Sequence, residues 1–482
     1  MEVANNKLPC LTSKNNNLTA LMLMALIMVL LAGFFCSFWV KIFFFLLLIL
    51  VFLLVIFDDS KKGILFFAAS LAFAPPLYLI APVHFIFRSI RLYEVLLCII
   101  LIFVLLQTLK SEKRFFHKTL FDVPILCMLG IWMLSVFNGI YLQQDFYLRD
   151  FFEFLKPIRL FLILQIVIFL VKEKEYAKKL LSFLVVFSIF PQLLGIGEHF
   201  NLLGIRRFIA TTYTGYEYSS IIAGGFDVYG AGFLHKFRTS SIFVGDVNAF
   251  GGYSAIFFIM AFIFFMYVPK IKSKILFSLI ALLNFYGVIV SGSRKSLICV
   301  VFGILLFLLF KIRKLLKAVP LVIIGVLIIL KLAPGYYLER FFFHWDYKIN
   351  NILRLFSQFS EFGIAESLIG RGTMHEFGAD SFHLKLLIRN GLLGLIAHFV
   401  LVFVMLKIAF FVIKHSKHWF DEMIGVMALI LIINMEWLNV TGLYFYAGRI
   451  SESFWIVLGV LYAVYRNIRA DNLQLIGAKG LN

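Results

Sequence analysis

Long apolar runs alternate with short polar gaps along almost the whole chain. A helix needs about 20 mostly apolar residues to cross a bilayer. By that measure the pattern predicts about fourteen spans. They lie at roughly 18–38, 40–57, 63–82, 92–109, 120–138, 157–171, 180–197, 247–268, 275–291, 296–310, 318–333, 390–413, 422–441 and 453–465. Some of these runs are short. The expected fold is therefore an all-α polytopic membrane protein with about 12–14 transmembrane helices, forming a single integral membrane domain over 1–482. Pro75-Pro76 should kink the third span, because proline removes a backbone donor and crowds the preceding turn. The pattern has no visible internal repeat, so it does not favour an inverted-repeat transporter. The polar start, MEVANNKLPCLTSKNNN, precedes an apolar run that is too long for a signal-peptide core, and that run reads as a retained first span.

Two gaps are too polar to span and too long for simple turns, 198–246 and 334–380. Loops of that length are commonly functional. The second contains NNILRLFSQFSEF, with apolar residues at helical spacing. The first contains a glycine- and tyrosine-rich tract.

The short gaps sort by charge. One set carries lysines such as Lys110, Lys113, Lys174, Lys270, Lys311 and Lys414. Short lysine-rich loops mark the cytoplasmic side. Fourteen spans would put both termini there too. The opposite set, which includes both large loops, is rich in arginine: Arg88, Arg149, Arg159, Arg206, Arg238, Arg294, Arg371 and Arg449. Topology does not demand cations on that side. Arginine offers a planar fork that matches phosphate or carboxylate oxygens two at a time. An anionic ligand explains the set; pairing with nearby acids or lipid headgroups explains any single member.

Composition supports the membrane class and narrows it little further. The chain is 62% hydrophobic with a mean hydropathy of +0.97, above the roughly 45–50% apolar content of soluble domains. The net charge of +19 sits in gaps between spans rather than on a soluble basic face, so no nucleic-acid partner is expected. The five cysteines are scattered and make no C-x-x-C pair, which supports neither a disulfide framework nor a zinc site. No H-E-x-x-H, P-loop or clear metal-ligand cluster is present, and no metal or other cofactor is expected.

Four polar constellations fall on the arginine-rich side. The first is SGSR, 291–294, a tight corner that leaves Arg294 beside the donors of a helix start. Arg294 also fits a snorkelling corner residue. The second is RTSSIFVGDVNAFGGY, 238–253, with Arg238, Asp246 and Asn248 close to the bilayer; Asp246 equally fits a helix N-cap. The third is GADSFHLKLLIRNGLLGL, 378–395, where Asp380 and His383 share a helical face. Either can take a proton from a hydroxyl, although Asp380 and Ser381 also resemble an N-cap. The fourth is NMEWLNVTGLYFYAGR, 434–449. Glu436 lies inside a predicted span, where an ionisable group is a functional candidate with a partner to be found; Asn439 and Arg449 are the nearest choices.

In order and spacing these segments resemble the O-antigen ligase and polymerase superfamily of bacterial envelope glycosyltransferases. The likeness covers roughly 180–465 and rests on the SGSR corner, the segment from Arg238 to Asn248, and a helix of the form H-N-x-x-L-x-x-L-x-x-x-G-x-x-G. On that pattern the leucines fall on Leu384 and Leu387 and the glycines on Gly391 and Gly394, while Asp380-Ser381 stand where ligases have His-Asn. The acidic residue favours a polymerase over a lipid-A-core ligase. The resemblance implies a GT-C-like architecture in the bacterial inner membrane with two large extracytoplasmic loops. It also implies a metal-independent inverting glycosyl transfer from a polyprenyl-pyrophosphate-linked oligosaccharide. Arg294 and Arg238, with Asn248 and Arg449, would bind the pyrophosphate and substrate. Asp380, with His383 and Glu436, would carry the acid–base chemistry. A chain-length regulator and a flippase are the implied partners, besides the lipid bilayer. The competing class is a lipid-linked oligosaccharide flippase; arginines gathered on one side, rather than in a central cavity, argue against it.

Overall fold

The computed structural model describes residues 38–73, 92–111, 115–143, 148–200, 202, 205, 241, 247–311, 350, 353–354, 357, 359–372, 381–440, 442, 444–446 and 448–479. Among the described residues almost everything is helical and no strand occurs. Seven helical stretches there are long and apolar enough to cross a membrane, one of them, Lys174–His199, made of two helices joined end to end, so the chain is a helical membrane protein. The predicted spans 18–38 and 318–333, the Pro75-Pro76 kink and most of both large loops lie outside the described residues.

The chain divides into two compact units, 1–113 with 200–235, and 114–199 with 236–482. The first contains α1 (Phe38–Asp58), α2 (Ser60–Phe73) and α3 (Leu92–Ser111). Asp59 separates α1 from α2, and its side chain accepts the Lys61 N–H at 2.9 Å, starting α2 afresh. Phe52 and Phe66 pack across this joint with their rings tilted by 36° and centroids 5.0 Å apart. Leu96 and Val104 of α3 are buried, while Ile102, Leu106 and Leu109 stay exposed. Such an apolar outer face suits lipid rather than water.

The second unit contains α4 (Asp122–Gln143), α5 (Leu148–Leu170), α6 (Lys174–Phe187), α7 (Ile189–His199), α8 (Val247–Tyr267), α9 (Ile271–Ser291), α10 (Arg294–Lys311), α11 (Ile364–Ile369), α12 (Phe382–His415), α13 (Trp419–Val440) and α14 (Ile450–Lys479). A 3₁₀ turn, Tyr444–Tyr446, joins the last two. α8 is apolar and buried on nearly every face, and α9, α10 and α13 pack around it; a helix hydrophobic all round belongs in the centre. α14 packs on α5, and α12 packs on both α13 and α4. The predicted span 180–197 is two helices meeting at Ser188. Pro191 accounts for the joint, because it cannot donate to the turn before it.

Polar contacts tie several helix ends of this unit together. At one end Lys174 pairs with Asp421 at 2.6 Å, Lys311 pairs with Glu422 at 2.5 Å, and the Tyr267 hydroxyl donates to Glu422 at 3.2 Å. These residues border the lysine-rich gaps. At the other end α8 begins, α9 turns into α10, and α13 finishes.

Charges inside the bundle have partners. Arg159, counted above with the loop arginines, lies well within α5. Its guanidinium is 2.7 Å from Glu452 on α14, whose side chain is 0% exposed. This pairing explains how two ionisable groups sit among apolar helices. Arg371 likewise pairs with Glu366 at 3.3 Å and stacks on Phe362.

Candidate functional site

The site is built around a broken helix. α12 runs for 34 residues, about 51 Å if straight, longer than a hydrocarbon core of about 30 Å. It breaks at Gly391, where φ is 64° and ψ is −169°. Only glycine adopts that conformation readily. Breaking a helix exposes carbonyls, and here they are satisfied. Ile388 O accepts the Arg371 N–H at 3.1 Å, and Arg389 O accepts the Gly372 N–H at 2.9 Å together with the Ser135 hydroxyl. Asn138 on α4 then donates to Gly370 O at 2.7 Å. The segment after α11 therefore acts as the cap of the first arm of α12. Arg389 is buried on that arm and stacks over Trp132 at 4.3 Å.

The bend brings two histidines together. His383 and His398 stand fifteen positions apart, about 22 Å along a straight helix. Their ring centroids are 5.7 Å apart. Both direct Nε2 at the same oxygen of Glu436, at 2.8 Å from His383 and 3.2 Å from His398. Glu436 lies one turn before the end of α13, so the carboxylate joins both arms of α12 to its neighbour. His398 is 0% exposed, while the side chains of His383 and Glu436 keep 19% and 20%. Phe382, Phe399 and Phe445 pack against the imidazoles. A carboxylate bonded to an imidazole can pass or hold a proton at the ring. The same three side chains also offer three metal-ligand atoms within 4.8 Å of one another.

A strap after α13 connects this cluster to the SGSR corner. Asn439 is buried, and its Oδ1 accepts the Phe445 N–H at 2.9 Å, which folds the strap back on the helix. Phe382 N–H donates to Gly442 O at 3.0 Å and the Ser381 hydroxyl to Asn439 O at 3.5 Å, seating the start of α12 on it. Tyr444 donates its hydroxyl to Asn248 O at 2.7 Å, and Lys295 lies 4.6 Å over its ring. The corner itself is an αL cap: Gly292 has φ 60°, and its N–H donates to Ile289 O at 3.0 Å. Ser291 and Ser296 are buried, and a β-carbon on Gly251 of α8 would overlap both hydroxyls. Small residues thus let α8 press against the turn that starts α10 at Arg294.

The predicted residues are distributed as follows. Residues from four separate constellations, Asn248, the 291–296 corner, Ser381–His383 and Glu436–Tyr444, meet at one end of the second unit. Arg294 opens α10 there and is partly exposed. Arg238, Asp246 and Asp380 lie outside the described residues. Arg449 is 3% exposed with a left-handed φ of 74°, and its N–H donates to the Glu452 carboxylate. Glu436 partners the two histidines rather than Asn439 or Arg449. His398 was not among the predicted residues; an ionisable side chain inside the apolar run 390–413 is the signal that marks it. Lys295, a neighbour without an expected role, is the residue that contacts the strap. No protein-family model matches this chain, and no curated protein matches it.

Proposed function

We propose that the protein is a surface-polysaccharide polymerase that joins polyprenyl-pyrophosphate-linked oligosaccharide units at the periplasmic face of the bacterial inner membrane. The observation that supports this reading is the convergence on the Asn439–Phe445 strap. Lys295 (directly after the SGSR corner), the start of α8 and the start of α12 all touch it, although they are far apart in sequence. In this reading both termini are cytoplasmic, the large loops are extracytoplasmic, and the architecture is GT-C-like.

Arg238 and Arg294 hold the donor pyrophosphate. Asp380, directly before Ser381, takes the acceptor proton. The acceptor oxygen bonds to the anomeric carbon as the sugar–phosphate bond breaks, and the pyrophosphate leaves with the electron pair. Fixed guanidinium groups stabilise the charge that grows on it. Attack opposite the leaving group inverts the anomeric centre. The apolar outer faces of the helices accommodate the polyprenyl tail.

The test is a gel of lipopolysaccharide from a strain lacking the gene. Core carrying a single repeat unit supports the polymerase. Bare core points instead to the ligase of the same superfamily. A normal ladder overturns both, and purified protein that moves the lipid-linked sugar across liposomes without joining it marks a flippase.

A further inference from the structure

We infer that His383, His398 and Glu436 form a binding site for a zinc-class divalent cation. Three features of the cluster carry this. The first is its composition: two imidazoles and one carboxylate are a common ligand set for zinc with an open fourth position. The second is convergence. All three donor atoms lie within 4.8 Å of one another, and both imidazole nitrogens approach a single carboxylate oxygen, at 2.8 and 3.2 Å. Ligands of a tetrahedral ion with bonds of about 2.0–2.1 Å are spaced by about 3.3 Å, so small shifts open the cluster to an ion. The third is rigidity. His383 and His398 sit on opposite arms of a break whose backbone is capped by Arg371, Gly372 and Ser135, and Glu436 belongs to the buried helix α13. Soft or imidazole-rich sites favour zinc and its neighbours over magnesium or calcium.

His398 is wholly enclosed, whereas His383 and Glu436 each keep about a fifth of the side chain exposed. The fourth ligand position therefore opens on the His383 side, where an oxygen of a phosphate, a hydroxyl or water can enter. The inference does not depend on the polymerase reading, which gives all charge neutralisation to arginines.

The experiment uses the full chain purified in detergent, stripped with a chelator and dialysed against zinc. Elemental analysis should find about one ion per chain. Competition with a chelating dye should show binding weakened by more than about 100-fold in His383→Ala and Glu436→Gln, and unchanged in His415→Ala at the far end of α12. No retained zinc, or cluster variants that bind zinc as tightly as the parent, overturns the site. If a variant fails to fold, the unsubstituted protein still decides. Cobalt should give visible d–d bands of a tetrahedral site that zinc abolishes, and their absence overturns the inference.

Discussion

The α-carbon of Gly391 faces the carbonyl oxygen of Leu368 so closely that a β-carbon there would overlap it. The nearest atoms are backbone, on both Leu368 and Gly370, and backbone cannot swing aside. The left-handed φ of 64° adds a second obstacle. This contact sets the bend that brings His383 to His398.

Gly391→Ala should therefore destabilise the protein by about 2 kcal/mol or more, since strained φ/ψ values alone cost about 1–3 kcal/mol. A fall in melting temperature in detergent, followed by tryptophan fluorescence, is the measurement. An unchanged melting temperature would show that the bend is not confined by the 368–370 segment. Gly391→Ala should also abolish zinc retention, because straightening α12 separates its two histidines.

The contact of Glu436 with both imidazoles predicts coupling between them. Glu436→Gln keeps the shape but removes the charge, and hydrogen bonds to charged groups are worth about 1.5–3 kcal/mol. His398→Phe suits the aromatic surroundings of Phe382, Phe399 and Phe445. In that background Glu436→Gln should do less damage, leaving a coupling of about 1 kcal/mol in a double-mutant cycle. Additivity within about 0.5 kcal/mol would mean that Glu436 and His398 are independent.

Helices were legible because apolar runs of membrane length leave few alternatives. The predicted spans 275–291 and 422–441 become α9 and α13 with small shifts at their ends. The start of α12 was partly legible. The apolar span begins only at 390, but Asp380-Ser381 reads as an N-cap, and α12 does begin at Phe382 with Ser381 as its N-cap. The break at Gly391 was not legible, because the first arm is capped there by residues 371–372. That cap is tertiary, and so is the convergence it produces. Glu436 could be picked out alone, since an ionisable residue inside a span needs a partner; which partner depended on a bend the pattern does not encode. Arg159 teaches the same lesson: its charge marked the arginine-rich set, but it is tied to Glu452, which no spacing rule connects to it. Arg449 meets the same Glu452 through its backbone N–H, at the spacing by which a third helical residue caps the residue before the helix.

The Arg159–Glu452 pair should behave as a buried pair does. Glu452→Gln leaves a guanidinium among apolar helices without its countercharge, and a single amide oxygen then stands where two carboxylate oxygens served Arg159 and the Arg449 N–H. Breaking one partner of a buried pair costs about 3–5 kcal/mol. The expected result is a sharp loss of folded, monodisperse protein after detergent extraction. Arg159→Met together with Glu452→Gln should recover part of it. A Glu452→Gln protein that melts like the parent would show that the pair contributes little.

Arg294 and Lys295 are adjacent, but the fold gives them different surroundings. Lys295 lies over the ring of Tyr444, a contact worth about 0.5–1 kcal/mol at a partly exposed site. Lys295→Met should lower the melting temperature slightly and leave long-chain polysaccharide in place. Arg294 opens α10 at a turn of buried serines, at a helix start whose backbone donors suit an anion. If it holds a pyrophosphate, Arg294→Ala should abolish elongation while the protein still inserts and accumulates. Arg294→Lys should also fail, because a single ammonium cannot reproduce the two-pronged geometry of guanidinium. Polysaccharide gels and immunoblots of complemented deletion strains read both outcomes. Full-length ladders from Arg294→Ala would reduce the residue to a helix corner, and ladders lost in Lys295→Met at normal protein level would move the anion site to its neighbour.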